Sequence, residues 1–173
     1  FEEGTEMSCH RGEAPDDDTC LRMYEHLCGC LESNGFEHYE ISNFAKPGCR
    51  SHHNSVYWNG GEYLGLGAGA HSYNGNIRLW NGEIHKKHKL LCWQSEQEEL
   101  TEQDKFNDLI VTTLRTSDGL DTHLIAPVYK TNFDRTTEKL KKEGLVKESE
   151  GKVSLTKKGI FVSNIVMREY IEV

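Results

Sequence analysis

One helix–glycine–strand unit near the start of this 173-residue chain constrains its fold more than any other feature. Pro15 is followed by Asp16-Asp17-Asp18-Thr19, a run of acidic residues suited to the positive end of a helix dipole. Leu21, Tyr24, Leu27, Cys28 and Leu31 then recur at helical spacing, and Asn34-Gly35 supplies a C-terminal stop. Phe36 to Phe44 reads as a strand, with alternation at Tyr39 and Ile41. Helix, short glycine link and strand form the repeating unit of an α/β barrel or open sheet. One such unit cannot bury both faces of its sheet. The expected fold class is therefore α/β, with the sheet completed by an N-terminal part of the protein or by another copy of the chain.

Further along, Lys46 to Tyr63 reads as a loop rich in His, Asn and Gly. Tyr63 to Ser72 is apolar and glycine-dense, as a closely packed strand would be. Ile77 to Trp80 predicts a short strand and Ile84 to Trp93 a helix. Around Gln94 to Leu100 the composition turns acidic, which places a boundary between residues 1–95 and 96–173. Thr101 caps a helix to about Arg115, with Phe106, Leu109, Ile110 and Leu114 on one face. Leu120 to Tyr129 and Phe133 to Glu143 predict two more helices. Leu145-Val146-Lys147 and Lys152-Val153-Ser154-Leu155 flank the turn pair Glu150-Gly151 and predict a hairpin. Thr156 to Tyr170 predicts a closing amphipathic helix. The second part is thus a small, mostly helical, winged-helix-like domain.

Composition narrows the function classes. Hydrophobic residues make up 36% and charged residues 28%, and mean hydropathy is −0.68. No apolar run approaches membrane-spanning length. A net charge of −8 argues against a chain-wide nucleic-acid footprint, which needs clustered Lys and Arg. Arg135, Lys139, Lys141 and Lys142 lie on one predicted helix, but Asp134, Glu138 and Glu143 share it and the wing carries Glu148 and Glu150. No nucleic-acid partner is expected. The chain opens on Phe1, Glu2 and Glu3 without the n- and h-regions of a signal peptide. It reads as starting inside a longer protein. Cys9, Cys20, Cys28, Cys30, Cys49 and Cys92 match no zinc pattern and no ferredoxin-like run, and C-x3-C-x2-C is missing. A reduced, cytoplasmic setting is the default expectation, with buried or incidental thiols.

Two stretches could carry chemistry. The first is His52-His53-Asn54-Ser55-Val56-Tyr57-Trp58. Imidazole is a common axial ligand of haem iron, and large aromatic rings offer a flat apolar wall to a porphyrin. On physics alone, two adjacent His in a polar loop are more often solvent-exposed or capping residues than ligands. The second stretch is Tyr63-Leu64-Gly65-Leu66-Gly67-Ala68-Gly69-Ala70-His71-Ser72. Glycine at alternate positions lets another backbone or a flat ligand come close. It is a poor phosphate loop, lacking a Gly-Lys-Ser/Thr ending. His71 reads either as a site residue or as a core histidine with satisfied nitrogens.

Tyr39-Glu40-Ile41-Ser42-Asn43-Phe44-Ala45, His53-Asn54-x-x-Tyr57-Trp58 and the segment Tyr63–Ser72, in that order and spacing, resemble the oxygen-independent coproporphyrinogen III oxidase family. The resemblance covers nearly the whole chain from Glu3-Gly4-Thr5. It implies the C-terminal portion of a radical S-adenosylmethionine (β/α) partial barrel followed by the winged-helix-like domain. His-Asn-x-x-Tyr-Trp is similar to the haem-chaperone branch; the decarboxylases carry an Arg-Asn-Phe-type segment there. The resemblance thus implies haem binding for transfer to apo-haemoproteins, with decarboxylation of coproporphyrinogen III as the alternative. By the same resemblance His53 is the candidate haem-iron ligand, with Asn54, Tyr57 and Trp58 shaping the site. Ser42, Asn43, Gly65, Gly67, Ala70 and His71 fall on the S-adenosylmethionine side of the barrel. Ser42 stands where the decarboxylases place an acid. The family's [4Fe-4S] cysteine motif is absent from these residues, so no catalytic residue is expected in them, and the chain should be inactive without its own N-terminal barrel.

Overall fold

In the computed structural model, which describes residues 4–10, 12, 14–82 and 95–172, a short helix α1 (Glu6–Cys9) precedes the long helix α2 (Asp17–Ser33). Asp16 caps α2 by accepting the Thr19 N–H at 2.7 Å, and hydrogen bonding from the Thr19 side chain, then from its backbone, holds the carboxyl below the usual carboxylate range. The stop at Asn34-Gly35 is as expected, with Gly35 at φ 74°. No residue of α2 is fully buried, and Met23 is 60% exposed.

The predicted single strand from Phe36 to Phe44 is instead a tight antiparallel hairpin, β1 (Glu37–Glu40) and β2 (Asn43–Ala45). A bulge between His38 and Glu40 turns Tyr39 and Glu40 into the interior, at 5% and 2% exposure. The expected loop from Lys46 to Tyr63 contains helix α3 (His52–Trp58). Ser51 starts it by accepting the Asn54 N–H, a cap that outweighs the loop-like composition.

Tyr63–Ser72 is not a continuous strand. Tyr63 makes one isolated bridge to Tyr73, and the strand β3 covers only His71–Tyr73. Gly67 at φ 104° and Gly69 at φ 67° adopt left-handed backbone that ends any extended run. β4 (Ile77–Asn81) appears as expected and lies between β3 and β5 (Ser95–Glu99) in an antiparallel sheet. The acidic stretch expected to mark a domain boundary is an edge strand, its carboxylates drawn to Arg78, 3.7 Å from Glu98, and to Trp80 Nε1, which donates to Glu96 at 3.1 Å. The helix expected at Ile84–Trp93 lies outside the described residues.

From Leu100 onward the chain builds the principal core. α4 (Glu102–Thr113) starts in a reciprocal capping box between Thr101 and Asp104 and buries Phe106 and Ile110. The helix expected at Leu120–Tyr129 is instead β6 (Leu120–Asp121), a 3-10 turn (Thr122–Leu124) and the entry to α5 (Pro127–Lys142). Pro127 explains this: it belongs at the first helical position and forces Ala126 out of helical geometry, to ψ 144°. β7 (Val146–Ser149) and β8 (Lys152–Leu155) form the expected hairpin, and β8 lies between β6 and β7. The closing helix is two, α6 (Lys157–Phe161) and α7 (Ser163–Arg168), broken at Val162 with φ −111° and ψ 28°.

Helix, strand, turn, helix and two-stranded wing is the winged-helix order. Ile110, Leu114, Leu120, Val153 and Val166 are wholly inaccessible; burying each such side chain contributes about 1.5–3 kcal/mol.

Candidate functional site

Helical spacing sorts α3 into two faces. His53 and Tyr57, four apart, share one; Asn54 and Trp58 share the neighbouring one. His53 is exposed, and its Nε2 lies 3.3 Å from the Tyr57 hydroxyl with the rings edge-to-face at 5.2 Å. Tyr57 packs on Tyr63 at 4.6 Å, and Tyr63 exchanges two 2.9 Å backbone hydrogen bonds with Tyr73. Burial raises the Tyr63 phenol above its ordinary pKa. This row of rings is the link between α3 and the glycine-dense segment.

On the other face, the Arg115 guanidinium lies 4.0 Å over the Trp58 ring. The same guanidinium reaches Glu40 Oε2 at 3.3 Å. The Glu40 side chain is 0% exposed, and its other oxygen accepts the Ser42 N–H at 3.0 Å and the Asn43 side-chain amide. One buried ion pair thus joins the α3 residues to Ser42 and Asn43, two sets of candidates that sequence spacing left separate. A backbone seam runs beside it: Ile41 N–H donates to Arg115 O at 3.0 Å and Ser117 N–H to Tyr39 O at 2.9 Å. Trp58 Nε1 is buried and has no hydrogen-bond partner among the described residues.

The glycine-dense segment packs against its own sheet. A Cβ on Gly65 would run into the His71 carbonyl, whereas one on Gly67 or Gly69 would meet nothing within 4 Å. Asn81 Nδ2 donates to the Gly65 and Gly67 carbonyls at 3.4 and 2.9 Å, and Gly65 N–H donates to Ser72 Oγ at 3.0 Å. Close backbone approach, one of the two readings of these glycines, accounts for Gly65, while Gly67 serves a left-handed backbone instead. Ala70 N–H closes the turn on Gly67 O. His71 is exposed and stacks near Trp80 at 6.1 Å, so it is not a core histidine.

Arg115 and Glu40 carried no sequence argument of their own. The available signal was a carboxylate set between Tyr39 and Ile41, a residue that must find a partner once buried.

The residues of α3 fit an iron porphyrin in one respect: an accessible imidazole stands on a helix beside aromatic rings. Coordination through Nε2 requires the Tyr57 hydroxyl to move aside. A [4Fe-4S] cluster does not fit here. Among the described residues no three His, Cys, Asp or Glu groups converge on a metal position. Cys9, Cys20, Cys30 and Cys49 are exposed and unpaired, and Cys30 Sγ lies 3.5 Å from His26 Nε2. An open groove of about 1140 Å³ lies between α2 and α6, lined by Leu21, Tyr24, Cys28 and Phe161. None of the candidate residues lines it.

The HemN C-terminal domain family matches residues 100–162, the winged-helix-like part. The chain is 31% identical over 174 residues to heme chaperone HemW of Bacillus subtilis, covering 95% of this chain and 46% of that protein. It is 31% identical over 167 residues to heme chaperone HemW of Lactococcus lactis, covering 91% and 43%. The mouse radical S-adenosyl methionine domain-containing protein 1, mitochondrial, is 50% identical over 58 residues, 34% of this chain and 13% of that one. Among solved structures, the Escherichia coli radical SAM enzyme coproporphyrinogen III oxidase (HemN) matches with a TM-score of 0.67 at 18% identity, over 91% of this chain and 42% of that one. That likeness shows the fold, and the chain spans less than half the length of these relatives. Alignment along nine-tenths of the chain and a matching fold over the same span lead to one conclusion: the chain belongs to the HemN/HemW family of radical SAM proteins.

Proposed function

We propose that the chain is part of a haem chaperone, binding haem through His53 and passing it to apo-haemoproteins. The observation that carries this reading is the exposed imidazole of His53 on α3, flanked by Tyr57 and Trp58, in a chain aligned along most of its length with HemW chaperones. Asn54, whose side-chain amide has no hydrogen-bond partner among the described residues, is suited to a propionate. The alternative, decarboxylation of coproporphyrinogen III, is supported only by the fold shared with HemN at 18% identity.

In this reading a [4Fe-4S] cluster and S-adenosylmethionine are held by the parent protein's N-terminal barrel, because the C-x3-C-x2-C spacing does not occur in these residues. Ser42, Asn43, Gly65, Gly67, Ala70 and His71 form the edge facing S-adenosylmethionine, an assignment that rests on family resemblance. The proposed location is the cytoplasm. Unpaired thiols support it, and among the described residues no helix is long and apolar enough to cross a membrane.

Haemin titration followed at the Soret band tests the reading. His53→Ala is expected to abolish the shifted band. Tyr57→Phe, which removes the hydrogen bond competing for Nε2, is expected to tighten binding by about two- to tenfold. An unchanged Soret shift in His53→Ala would exclude His53 as the ligand.

A further inference from the structure

α3 is only seven residues long and buries none of them fully. A helix this short is marginal by itself, so its orientation depends on what grips it from outside. Two ring contacts do so: Tyr57 on Tyr63, and Trp58 beneath Arg115. The second comes from the winged-helix-like part, where Arg115 follows α4 immediately after its C-cap Leu114.

Arg115 is itself held. Its Nε and Nη2 lie 3.4 and 3.3 Å from Glu40 Oε2, and the Glu40 side chain is wholly inaccessible. The Ile41 N–H bond to the Arg115 carbonyl fixes the backbone at the same point. A planar guanidinium can pair with a carboxylate along its edge while its flat face stacks on an indole; a compact ammonium has no such face and makes only a point contact with a ring.

We propose that Arg115 is a positioning residue: anchored on Glu40, it clamps Trp58 and so sets the orientation of the helix presenting His53. The consequence for haem rests on the function proposed above, whereas the clamp itself can be tested without haem.

The experiment uses the whole chain with Trp80→Phe and Trp93→Phe, so that Trp58 is the sole tryptophan. Arg115→Lys keeps the charge opposite Glu40 and loses the stack; Glu40→Gln keeps the shape and releases the guanidinium. Melting, acrylamide quenching of Trp58 and haemin titration are followed in each. Arg115→Lys is expected to melt close to the reference while Trp58 becomes about threefold easier to quench, and haemin binding weakens about tenfold, as loss of a cation–π contact implies. Glu40→Gln is expected to loosen Trp58 in the same direction. Shielding of Trp58 unchanged from the reference in both variants overturns the proposal. So does haemin affinity unchanged in Arg115→Lys while His53→Ala abolishes it, and so does unfolding of both variants, which makes the pair purely structural. If the reference chain binds no haemin yet Trp58 is freed in both variants, the haem reading fails and the clamp stands.

Discussion

At the scale of single residues, Tyr170 carries a pH dependence that the sequence does not announce. Its ring packs on Phe133 at 4.9 Å, its hydroxyl lies 3.1 Å from Thr137 Oγ1, and it is 2% exposed. Burial pushes the phenol up to about 12. Because the folded state resists ionisation until about pH 12 while an unfolded Tyr ionises near pH 10, the stability it contributes is complete below about pH 10 and lost on rising to about 12. Tyr24, also raised by burial, acts in the same direction. Thermal melts between pH 9 and 12, values chosen to bracket about pH 10, should fall more steeply in the unmodified chain than in Tyr170→Phe. Parallel curves would exclude Tyr170 as the source. The His53–Tyr57 pair was legible from i,i+4 spacing only if the stretch was a helix, and it was read as a loop. The Glu40–Arg115 pair was not legible, because its members stand 75 residues apart and meet only through folding.

At the scale of elements, capping chemistry was the most transferable signal. Thr101 Oγ1 accepts the Asp104 N–H at 3.1 Å, while Asp104 Oδ2 accepts the Thr101 N–H at 2.9 Å. The Thr101 hydroxyl and then the Thr101 N–H, both donating to the Asp104 carboxylate, lower its pKa, so the box is intact above the ordinary Asp range and is lost as pH falls below it. Thr101→Ala is expected to destabilise the chain by about 1 kcal/mol, read as a lower midpoint in urea. No change would mean that α4 is held by packing alone. Elements went unread where a local rule was overridden. Ser51 nucleates α3 inside a loop-like composition, Pro127 delays α5, and Gly67 and Gly69 interrupt a stretch whose apolar residues suggested a strand. Leu64 and Leu66 are 78% and 85% exposed there, so hydrophobicity was a poor guide to burial.

At the scale of the whole molecule, burial is uneven. Among the described residues before Leu100, only Tyr39, Glu40 and Ala45 are buried, whereas α4 to α7 and the wing enclose a continuous core. We therefore expect residues 96–173 to fold alone, with dispersed amide signals in solution, and residues 1–95 not to. A cooperative melt of residues 1–95 alone would contradict this. The two parts meet at the seam of Tyr39 and Ile41 with Arg115 and Ser117, at Arg50 with Asp118 (3.0 Å), and at Lys157 with Glu32 (2.8 Å). On α5, Lys139 pairs with Glu169 and Lys141 with Glu138 and Glu148. The amino-acid sequence by itself determined the α/β class, the helix starts at Asp16 and Thr101, the wing hairpin and the family, because caps, turn residues and motif spacing act over a few neighbours. Tertiary structure alone decided that β1 turns back on β2, that the glycine segment lies against His71, and that one arginine joins the two sets of candidate residues. Burying a carboxylate requires a partner, and only the fold could bring Arg115 to Glu40.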